Sequence, residues 1–141
     1  MIIKSRYFKD FTEAEIRIGY NSMLKELEVL PEVHPIRELF TETWIDFVLG
    51  RFSYDGATFV KERNPLTLFE VSAFIHDWRN FKGYVGKEID NEFICIMITL
   101  NYKPRLIIER WLFMRFTFLN VLRHNFLGNL NNKSPDNLFK I

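Results

Sequence analysis

Apolar residues recur at helical spacing in five stretches of this chain. Thr12-Glu-Ala-Glu15 is a capping box, and behind it Ile16, Tyr20, Met23, Leu27 and Leu30 repeat until Pro31 stops a first helix. Pro35 stands in the first turn of a second helix, with Ile36, Phe40, Trp44 and Phe47 on one stripe and Gly50 at its end. From Arg51 to Arg63 the periodicity disappears. The Asp55-Gly56 pair marks a tight turn there, and the stretch near 51–60 reads as an irregular loop or a small β-hairpin.

Asn64-Pro65 gives an N-cap and a first-turn proline for a third helix, whose stripe Leu68, Val71, Ile75 and Trp78 runs to a stop at Lys82-Gly83. A fourth starts near Gly86, aligns Ile89, Phe93, Ile96 and Leu100, and ends around Asn101 to Pro104. The fifth runs from Pro104 to Gly128. Only a few residues separate the third and fourth helices, so they are expected to form a central antiparallel hairpin. The pattern predicts an all-α fold of about five helices, with residues 1–128 as a single helical domain and 129–141 as a polar, Asn-rich C-terminal arm.

Composition removes several function classes. With 141 residues, 48% of them hydrophobic, the chain can bury one sizeable core. Its net charge of +1 supplies no field for steering nucleic acid or an anionic membrane. Arg105, Arg110 and Arg123 with their intervening aromatics read better as a solvated or interface face than as a nucleic-acid surface. Charges at Arg105, Glu109, Arg110, Arg115 and Arg123 interrupt the fifth helix, so no membrane span is expected where ~20 apolar residues would be needed. The N-terminus has no apolar stretch of signal-peptide length, and the lone Cys95 sits in an apolar run as an inert thiol; both fit a protein made in the cytoplasm. His34 and His124 lack zinc-ligand spacing.

The candidate chemistry lies between residues 70 and 93. His76 and Asp77 sit in the apolar third helix, and Asp90 falls at the edge of the apolar face of the fourth, in line with Ile94 and Met97. An unpaired carboxylate is costly to bury, so these residues satisfy one another, hold a metal, or do chemistry. In the catalytic reading His76 is a general base oriented by Asp90, and Asp77 with Asp55 offers oxygen ligands to calcium, the one candidate cofactor. In the structural reading Asp55, His76, Asp77, Asp90 and Arg115 form a polar clasp.

The fifth helix is apolar on nearly every side. Such a helix is either wrapped by the rest of the fold or shared with another subunit. The second alternative makes Leu106, Phe113 and Phe116, with Leu130, Leu138, Phe139 and Ile141 of the arm, an interface.

Three motifs in order, Phe52-x-Tyr-Asp55-Gly56-Ala57-Thr58, then Ser72-Ala-Phe-Ile-His76-Asp77, then Asp90-x-x-Phe93, resemble a family of small tailed-phage proteins of unknown function over about residues 50–125. That resemblance implies a virion component, a neck, tail or ring subunit whose partners are other virion proteins and copies of itself. The His-Asp helix with its second Asp is also similar, more distantly, to the catalytic hairpin of phospholipases A2. This implies His76 as base, Asp77 as calcium ligand and Asp90 as the His partner. The glycine-rich calcium loop of those enzymes has no counterpart here, and one cysteine cannot provide their disulfides. A non-enzymatic assembly role is therefore the expectation, with a calcium-dependent envelope hydrolase as the alternative.

Overall fold

The computed structural model describes residues 6–54 and 69–116, with side chains described as far as Leu112. Five α-helices account for the regular structure among these residues: α1 (Glu13–Leu27), α2 (Pro35–Val48), α3 (Val71–Phe81), α4 (Lys87–Thr99) and α5 (Pro104–Phe116), preceded by a 3-10 turn at Phe8–Asp10. The fold is all-α. An isolated antiparallel bridge between Arg6 and Tyr54 is the β feature of the described residues, and the Asp55 turn lies outside them. The chain clusters into two compact units, Met1–Trp78 and Arg79–Ile141.

In the first unit the helix ends follow the local code. Thr12 Oγ1 accepts the Glu15 N–H at 3.1 Å and Glu15 Oε1 accepts the Thr12 N–H at 2.9 Å, closing the capping box. Accepting the Thr12 N–H holds the Glu15 carboxyl below its ordinary range, and the charge of Arg6 acts in the same sense. The carbonyls at the end of α1 are taken by Arg37 of α2. Its Nε donates to Pro31 O at 2.6 Å, and its Nη2 donates to Leu27 O at 2.8 Å and Leu30 O at 3.0 Å. His34 caps α2, its Nδ1 accepting the Ile36 N–H at 3.1 Å.

The core of this unit is aromatic and centred on the fully buried Phe47. Around it stand Phe74, Phe8, Phe52, Trp44, Phe11 and Phe69, with ring centroids 5.2 to 6.2 Å away. Gly19, in the interior of α1, is buried because Phe69 lies across it: a Cβ there would come 2.3 Å from Phe69 Cδ2.

α3 corrects one expectation. It begins at Val71, not at Asn64-Pro65, and Phe69 and Glu70 precede it outside the helix. Its start is set from a distance, since both Glu26 carboxylate oxygens lie 3.4 Å from the Val71 N–H and complement the positive end of the helix.

Three helices end alike. The N–H groups of Gly50 and Arg51 donate to Phe47 O and Asp46 O, those of Gly83 and Tyr84 to Asn80 O and Arg79 O, and those of Asn101 and Tyr102 to Ile98 O and Met97 O. The turning residue has positive φ each time: 75° at Gly50, 92° at Gly83 and 60° at Asn101.

In the second unit Ile89, Phe93, Ile96 and Leu100 are buried as the periodicity predicts, Met97 is buried with them, and α5 packs beside α4. The orientation of α5 is the second correction. Arg110, read from the sequence as part of a solvated or interface face, is 2% exposed with its guanidinium 6.0 Å from the Phe93 ring centroid, while Ile108, Trp111 and Leu112 are 57%, 40% and 42% exposed. A helix apolar on most sides gives periodicity no face to choose, so packing chose it. Leu106 is half-buried; the side chains of Phe113, Arg115 and Phe116, and the whole of Leu130, Leu138, Phe139 and Ile141, lie outside the described residues.

Candidate functional site

Tyr54 stands where the end of the Arg51–Tyr54 segment meets the start of α3. Its backbone pairs with Arg6, N–H to O at 3.0 and 2.8 Å, and its ring packs on Phe69 and Phe74 with centroids 5.1 and 5.3 Å away. The hydroxyl oxygen accepts the Glu70 N–H at 3.3 Å. The side chain is fully buried, and this burial pushes the phenol well above its ordinary pKa of 10.0; the negative charge of Asp77 adds to the rise, as do Glu70 and Glu26. The Glu70 N–H opposes it. A phenol held neutral this strongly can donate a hydrogen bond but is a poor nucleophile.

His76 and Asp77 are half-buried on α3, and Asp77 is close enough to act electrostatically on Tyr54, the residue before Asp55. Asp55 itself lies outside the described residues, as does the side chain of Arg115. Asp90 is buried on α4 in the second unit, as its place on the helical wheel predicts. Among the described residues no group of three or more His, Cys, Asp and Glu side chains is arranged to hold a metal ion, and no helix is long and apolar enough to cross a membrane.

Two polar arrangements escape sequence reasoning. In the first unit Asp46 Oδ2 accepts the Trp78 indole N–H at 2.8 Å, while Oδ1 meets the Arg51 guanidinium at 2.8 Å. In the second, Arg79 and Glu92 form a two-pronged pair at 3.1 Å for both contacts, each side chain 4% exposed, with Tyr84 5.9 Å from the guanidinium. The trace of this pair in the sequence is a charge at each of two positions flanked by apolar stripes. Cys95, half-buried, has its thiol raised by burial and then by the charge of Glu92, which makes it a slow nucleophile.

Among the described residues of the second unit, the buried charges are Arg79, Glu92, Asp90 and Arg110. Of these, Arg79 and Glu92 form the two-pronged pair described above. No protein-family model, curated protein or solved structure matches the chain.

Proposed function

We propose that this chain is a non-enzymatic assembly subunit of a tailed-phage virion, made in the host cytoplasm and incorporated in the neck, tail or a ring, where it contacts other virion proteins and copies of itself. The observation that carries the reading is the inverted α5, which buries Arg110 and turns Ile108, Trp111 and Leu112 outward. Apolar side chains clustered at the surface mark a protein contact more often than they serve an isolated monomer. The order of the Asp55, His76-Asp77 and Asp90 motifs supplies the phage context. At the start of α3, the strongly neutral Tyr54 and the helix-capping Glu26 serve as structural parts, and neither is an activated nucleophile.

Mass spectrometry of purified particles, set beside sedimentation velocity of the isolated chain, tests this reading. The expected outcome is the chain present in particles in several copies. Its absence from particles, together with calcium-dependent phospholipid hydrolysis abolished by His76→Gln, would replace the assembly reading with the hydrolase.

A further inference from the structure

The corner between α1 and α2 is closed by two side chains of one short stretch. His34 Nδ1 accepts the Ile36 N–H at 3.1 Å, and the His34 carbonyl accepts the N–H groups of Arg37 and Glu38 at 3.0 and 3.2 Å. The Arg37 guanidinium, in the same turn, donates to the carbonyls of Leu27, Leu30 and Pro31. The first turn of α2 thus carries both its own cap and the tie to the end of α1.

Histidine has a property at this position that the common N-cap residues lack. Asp, Asn, Ser and Thr cap with an oxygen that stays an acceptor through the neutral range, whereas an imidazole nitrogen accepts only while unprotonated, and both ring nitrogens of the cation are donors. Protonation turns Nδ1 from acceptor to donor, sets it against the Ile36 N–H, and adds a positive charge at the positive end of α2. The charged groups of the two elements that meet here are Lys25 and Glu28 at the end of α1, Glu32 on the connection, and Arg37 and Glu38 in the first turn of α2. Among the described residues no carboxylate forms an ion pair with the imidazole that would offset the cation.

From these contacts we propose that His34 is a proton-operated joint. Neutral, it holds the first turn of α2; protonated, it releases that turn and with it the grip of Arg37 on the end of α1. Imidazoles change charge between about pH 8 and pH 5. Because the folded corner uses the neutral ring, the stability it contributes is complete at the alkaline side of that window and is lost as pH falls, the reverse of a histidine that gains a carboxylate partner. Glu15 gives up its own capping bond only below 4.5, so the two losses fall in different windows.

The test is a nuclear magnetic resonance titration of the isotopically labelled full chain from about pH 8 to pH 5, followed at His34 Nδ1, the Ile36 amide and Arg37 Nε, with thermal melts of wild type and His34→Asn across the same range. Asparagine keeps a capping oxygen and carries no titrating group, so the variant folds with its cap intact. His76 and His124 are present in both chains, and their titration cancels in the difference. In wild type the three signals are expected to move with one midpoint, the Arg37 Nε–H to exchange faster with water at the acid end, and the melting temperature to fall a few degrees more than that of His34→Asn, the size that loss of one N-cap confers. An Ile36 amide that stays in place while the His34 Nδ1 signal moves overturns the proposal, and so does an equal acid loss in His34→Asn.

Discussion

The carboxylate of Asp46 joins α2 to the indole of Trp78, accepting its N–H at 2.8 Å while holding Arg51 with the other oxygen. Arg51 is also the residue whose backbone N–H returns to Asp46 O at the helix end, so one acidic side chain secures both a terminus and a tertiary contact. Asp46→Ala should cost about 1–3 kcal/mol, because the buried indole N–H loses its acceptor. Urea unfolding followed by tryptophan fluorescence measures the loss; Trp78→Phe, which removes the donor as well, should reduce the further effect of Asp46→Ala.

The Arg79–Glu92 pair predicts an asymmetry. Removing one partner leaves a charge buried at 4% exposure, so Glu92→Ala should destabilise by about 3–5 kcal/mol. Replacing both, Arg79→Met with Glu92→Leu, should recover most of that loss. A thermal-melt double-mutant cycle gives the coupling, and additive losses would show that the pair does not act as a unit.

Gly19→Ala should destabilise even though alanine is the better helix former by about 1 kcal/mol. The new methyl would run into the Phe69 ring, and overpacking of this kind costs about 1–3 kcal/mol. Phe69→Leu should partly relieve the variant, read from denaturation midpoints.

Tyr54 sets an alkaline limit. Its phenol is raised in the folded state, so its contribution to stability is complete below the unfolded value near 10.0 and is lost as pH rises from there towards the folded value. Glu15 acts at the other end. Its carboxyl is lowered, so its contribution is present above the ordinary 4.5 and is lost as pH falls through the folded value. Tyr54→Phe should flatten the alkaline loss in a stability–pH profile and leave the acid limb unchanged; an unchanged alkaline limb would remove Tyr54 from the explanation.

What could be read in advance was local. Thr12 with Glu15, Pro35, Gly50, Gly83 and Gly86 each announce a helix end within a few residues, and the ends fall where these residues stand. The buried place of Asp90 follows from helical angle alone. The start of α3 was hidden because its cap, Glu26, is 45 residues away in sequence. The face of α5 was hidden because hydrophobicity is spread around it, and the decision passed to packing with α4. The aromatic cluster around Phe47 was seen only as separate stripes, since no periodicity reports which rings meet.

The shared endings of α2, α3 and α4 bear on how the chain finds its shape. Each stop is closed by hydrogen bonds spanning six consecutive residues, so it forms without waiting for a distant partner, and little loop-closure entropy stands in its way. Helix lengths can thus be fixed early, while Phe47, Asp46 and Glu92 wait for contacts made later. Asn101, the one non-glycine at such a stop, should be where this early punctuation is weakest, and Asn101→Gly should speed refolding if that stop forms before the transition state.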